Sequence, residues 1–83
     1  MHKAKTVDGR ANICGTYLEK QRKAMRPKCS QKAFADKLQL LGLDIDKNAV
    51  QRIECGKRTV SDIELKVIAQ ALEVSVDELL KGS

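Results

Sequence analysis

The chain has no tryptophan, one tyrosine (Tyr17) and one phenylalanine (Phe34). With so few aromatic side chains there is hardly a wall from which to build a small-molecule pocket. One proline, Pro27, and five glycines are little turn-forming material, which suits an all-helical protein. The single histidine, His2, lies at the amino end. The three cysteines (Cys14, Cys29, Cys55) are an odd count without a CxxC spacing, so no zinc site can be assembled from them. Free thiols in a reducing cytoplasm are the simplest account. There is no Ser/His/Asp set and no glycine loop to cradle a phosphate. Neither a signal peptide's apolar core nor a run of membrane-spanning length is present. These absences set the expectation of a cytoplasmic protein that is not an enzyme and needs no metal or cofactor.

What remains is a basic, aliphatic chain of 83 residues, the size of one domain with a modest core. Its net charge of +5 permits a polyanion as partner. The charge is unevenly spread: residues 1–32 carry +7, residues 33–58 carry +1 and residues 59–83 carry −3. The cations needed to meet phosphates are therefore in the amino-terminal half.

The stretch from Ser30 to Arg58, SQKAFADKLQLLGLDIDKNAVQRIECGKR, is the organising segment. Ser30 is a good N-cap for one helix, whose core stripe is Phe34, Ala35, Leu38 and Leu41. Gly42 is placed to end that helix in the left-handed conformation. Asp46 caps the next helix, which runs through Cys55 and stops at Gly56. Ile45 and Val50 have the spacing of a hydrophobic staple across that cap. One face of this second helix is apolar (Val50, Ile53), and the other carries Lys47, Asn48, Gln51 and Arg52. A short helix with that outward chemistry fits a DNA major groove.

Around this pair the chain reads simply. Residues 1–11 are polar, with Lys3, Lys5 and Arg10, and are expected to form a flexible arm. Such an arm either reaches along DNA or is a plain loose terminus. A first helix is expected from Asn12, as N-cap, to about Met25, with Cys14, Leu18, Gln21 or Arg22 and Met25 inward and Tyr17 among the surface residues. Ser61 to Glu64 matches a capping box, opening a helix whose core stripe is Leu65, Ile68, Ala69 and Leu72. Ser75 to Glu78 is a second such box, opening a short last helix through about Leu80.

From Ile13 to Leu80 the order of residues resembles the Cro/C1-type (XRE) helix-turn-helix family. The resemblance rests on Arg22-Lys23, Ser30-Gln31, Ala35 with Leu38, Val50-Gln51-Arg52-Ile53-Glu54, and Gly56-Lys57-Arg58. It continues in Ile68-Ala69-Gln70-Ala71-Leu72 and Val74-Ser75-Val76-Asp77-Glu78-Leu79-Leu80. It implies an all-α, five-helix lambda-repressor-like domain over residues 12–83, in a bacterial or phage-encoded regulator of transcription. One departure stands out. The connection from Gln39 to Asp46 is several residues longer than the family's tight turn, which an extra helical turn at Gln39-Leu40-Leu41 would absorb.

Carried over residue by residue, the resemblance implies that Lys47, Asn48, Gln51 and Arg52 face base edges. It implies that Gln31 contacts the backbone, with Lys32, Lys57, Arg58 and Thr59 as further phosphate contacts. It also implies an Arg22–Glu54 ion pair joining the first helix to the end of the third. The bland reading of each polar group is a solvated surface. Cys29 and Cys55 lie among cations that favour thiolate, but incidental thiols are far commoner than redox switches. Ile63, Val67, Leu79 and Leu80 are candidates for a homodimer seam in the carboxy-terminal third, which would space two recognition helices along double-stranded DNA. The expected function is sequence-specific DNA binding by a repressor. The alternative is a protein-interaction module of the same fold, such as an antitoxin or a partner of another regulator.

Overall fold

The computed structural model describes residues 9–81, and residues 1–8 of the expected arm lie outside the described residues. Five helices follow in order: α1 (Cys14–Ala24), α2 (Gln31–Leu40), α3 (Lys47–Glu54), α4 (Asp62–Leu72) and α5 (Val76–Leu80). The described residues contain no strand. α2 packs on α3, while α1 lies against α3, α4 and α5. Leu18, Phe34, Leu38, Val50, Ile53, Ile68 and Leu79 are fully enclosed, so each helix contributes to one shared core.

Local chemistry sets the boundaries. Ser30, Asp46, Ser61 and Ser75 each accept a hydrogen bond from the backbone N–H three residues on. At Ser61 the box is complete, with Glu64 reaching back to the cap N–H. At Ser75 only half of it forms, because the Glu78 carboxylate faces Tyr17 and Lys81 instead. α1 begins one residue later than expected, at Cys14, yet Asn12 still does the capping: its Oδ1 accepts from Gly15 N–H at 2.8 Å.

α2 and α3 end alike. Gly42 (φ 95°) and Gly56 (φ 80°) take the left-handed conformation that side chains disfavour. The next residue then bonds back into the helix, Leu43 N–H to Leu38 O at 2.9 Å and Lys57 N–H to Arg52 O at 2.8 Å. α4 closes with the same bonds but with Glu73 (φ 58°) in the left-handed position.

Three expectations about packing need correction. Tyr17 is buried, not on the surface, because α1 is covered by three helices and its apolar stripe is correspondingly wide. Leu41 is 37% exposed, and the turn at Gly42 brings Leu43 onto the core in its place. Leu79 is wholly buried and cannot form part of an intermolecular seam, whereas Ile63 (69% exposed) and Leu80 are open to solvent. The extra turn of α2 does form through Leu40, and Gln39 Nε2 donates to Ile45 O at 2.8 Å across the long connection.

Candidate nucleic-acid interface

α3 is two-faced. Val50 and Ile53 seat it on the core, and Lys47, Asn48, Gln51 and Arg52 are all exposed on the outward side. Lys47 and Asn48 also edge a shallow groove shared with Lys32, Asp36 and Gln39 of α2, so the outward face of α3 continues onto α2.

The carboxyl end of α3 is held by a buried polar cluster. Arg22 donates from Nε to Glu54 Oε2 at 2.6 Å and from Nη2 to Glu54 Oε1 at 3.0 Å, a two-pronged fork. Its Nη1 donates to Cys29 O at 2.9 Å, tying in the loop before α2. Gln31 Nε2 adds a third donor to Glu54, at 3.0 Å on Oε1. Hydrogen bonding to Glu54 raises the Arg22 guanidinium above its ordinary range, against the opposing effect of burial. The expected ion pair is therefore the centre of a network joining α1, α2 and α3.

A second set of anchors went unrecognised in the sequence. Asn12 Nδ2 donates to Ile53 O at 3.1 Å and to Arg58 O at 2.7 Å. Arg10 Nη2 donates to Glu54 O at 2.7 Å, and Ala11 N–H to Gly56 O at 2.8 Å. Residues 10 and 11 of the expected arm thus lie on the protein. Gly15 packs so close to α3 that a Cβ there would run into the Ile53 carbonyl oxygen. One signal was legible: a glycine inside a helix costs about 1 kcal/mol, and such a cost usually has a packing reason.

The remaining candidates separate into groups. Lys57 and Thr59 are exposed on the loop after α3. Lys32 is exposed at the start of α2 and pairs with Asp36 at 3.2 Å. Arg58 is turned toward α4, donating to Glu64 at 2.8 Å. Burial would raise the Glu64 carboxyl, but hydrogen bonds from Ser61 N–H and Arg58 outweigh it and hold it below its usual range. Gln31 has one amide hydrogen on Glu54 and sits half-buried in the first turn of α2. Burial pushes the Cys14 thiol up to about 11, so it is no thiolate at neutral pH.

A family model described as helix-turn-helix matches residues 18–79, well over half of the chain. The chain belongs to the Cro/C1-type helix-turn-helix family. Searches of curated proteins and of solved structures found no match. Within the Cro/C1-type family, α2 and α3 are the helix-turn-helix pair, and the domain is a DNA-binding regulatory fold, not a catalytic one. No helix among the described residues is long and apolar enough to cross a membrane.

Proposed function

We propose that the protein is a sequence-specific repressor that lays α3 in the major groove and occludes a promoter. One observation carries this reading: four polar side chains capable of base recognition stand exposed on a helix whose other face and carboxyl end are fixed to the core. A helix held this way has little freedom to lose on docking. Lys47 donates to guanine O6 and N7, while Asn48 and Gln51 pair bidentately with adenine. Arg52, one turn on from Asn48, extends the readout toward a neighbouring pair. The exposed Lys32, Lys57 and Thr59 contact flanking phosphates, joined by the backbone N–H and second amide hydrogen of Gln31. Arg58 already spends Nη2 on Glu64, at 2.8 Å, and is half-buried, which makes it the weakest of the set.

One α3 reads only a few base pairs, so two copies bind a two-fold site. Their seam lies in the carboxy-terminal third, on Ile63, Val67 and Leu80, with Leu79 left to the core. The test is selection of bound sites from random duplexes. A palindromic product with half-sites about 34 Å apart is expected. Recovery of no preferred sequence removes the reading, and the protein-interaction alternative then stands in its place.

A further inference from the structure

The segment before α1 wraps the carboxyl end of α3 closely. Arg10 lays its side chain against Gly56: a Cβ at Gly56 would fall within 2.8–3.0 Å of Arg10 Cζ, Cγ and Cβ. Its guanidinium then sits over the last carbonyls of α3, donating to Glu54 O at 2.7 Å and more weakly to Ile53 O at 3.4 Å. Those carbonyls are the negative end of the helix, where a cation is favourably placed. Asn12 divides its amide group between two helices, with Oδ1 on the first turn of α1 and Nδ2 on Ile53 O of α3 and Arg58 O beyond it. Ala11 N–H closes the wrap on Gly56 O. Arg10 and Asn12 thus act on the backbone of α3, while Arg22 and Gln31 act on the side chain of Glu54.

We infer that Arg10 and Asn12 are positioning residues for DNA reading: they set the tilt of α3 by clamping its terminal carbonyls, without touching DNA themselves. The inference rests on the proposed reading of bases by α3. Its consequence is specific. Backbone electrostatics tolerate a small tilt of α3, but the directional hydrogen bonds of Lys47, Asn48 and Gln51 to base edges do not. Loss of the clamp therefore lowers affinity for the preferred site and leaves non-specific binding in place.

The experiment measures binding of the full chain to the tightest duplex from the random pool and to a scrambled duplex of equal length. Both are titrated across a range of salt, well below the melting temperature. Arg10→Ala is expected to weaken binding to the selected duplex about tenfold, the scale of one charge-assisted helix-end contact. The scrambled duplex is expected to be unaffected, and the slope of log affinity on log salt unchanged. Arg10→Lys, which keeps the cation but loses the planar fork, is expected to fall between. Asn12→Asp keeps the cap oxygen for Gly15 and replaces the donor to Ile53 and Arg58 with a carboxylate oxygen. It is expected to lose selected-site affinity with the α1 cap intact. A slope reduced by about one for Arg10→Ala makes Arg10 a phosphate contact and overturns the inference. So does a lowered melting temperature with selected-site affinity unchanged, since the wrap is then structural only. If the unaltered protein shows no preference among duplexes, the proposed function itself fails, an outcome visible before any variant is made.

Discussion

The two ends of α3 are held in different ways. At its amino end, Asp46 caps the helix with one hydrogen bond to Ala49 N–H at 2.9 Å, and Lys47 and Asn48 stand in solvent. The connection leading into it is long, and Gln39 braces that connection by a single side-chain bond to Ile45 O. At its carboxyl end, Arg22, Gln31, Asn12 and Arg10 converge on Glu54 and the last carbonyls, and Gly15 lets α1 approach closely. The helix is thus a rod fixed at one end and presented at the other. The connection between α2 and α3 enters at the lightly held end, and just before it Leu40 projects with 89% of its surface exposed.

The contrast can be broken by three substitutions of decreasing effect. Glu54→Ala removes the acceptor that three donors share and leaves the buried Arg22 uncompensated. It is expected to cost about 3–5 kcal/mol in denaturant unfolding. Reversing one charge alone, Arg22→Glu or Glu54→Arg, is expected to be destabilising as well, and reversing both together to restore part of that loss, as a coupled pair requires. Gly15→Ala would favour an isolated helix, but here the new methyl meets the Ile53 carbonyl. A net loss of about 1–3 kcal/mol is expected, read as a fall in melting temperature of about 4–8 °C per kcal/mol. Asp46→Ala at the opposite end is expected to cost only about 1 kcal/mol. Amide exchange should quicken at Ala49, whose N–H loses its acceptor, and not at Ile53 or Glu54. Equal costs for Asp46→Ala and Glu54→Ala would show that α3 is supported evenly along its length, and the contrast would be lost.

What was legible in the sequence was mostly local. Ser30, Asp46, Ser61 and the glycines at 42 and 56 mark helix ends by short-range chemistry that needs no tertiary structure. The apolar faces of α2 and α3 followed from spacing. The Arg22–Glu54 pair lies 32 residues apart, and only the family resemblance connected it. The clamp from Arg10 and Asn12 was not legible, because its acceptors are backbone carbonyls 41 to 46 residues away, and a carbonyl has no letter in a sequence. Gly15 carried a hint in its cost to α1 but not the identity of its neighbour. Tyr17 was misplaced because periodicity describes one contact face, and α1 has several. Leu41 lost the core place expected of it because the turn at Gly42 decides which leucine returns to the core, and that is Leu43.

Tyr17 offers an experimental convenience. In a chain without tryptophan it is the lone phenolic fluorophore, and its hydroxyl donates to Glu78 of α5 at 3.5 Å. Ultraviolet emission from the unlabelled protein therefore reports on the seating of the last helix against the first. A titration with nucleic acid that altered this signal would register a change where α1 meets α5, at no cost in added dye.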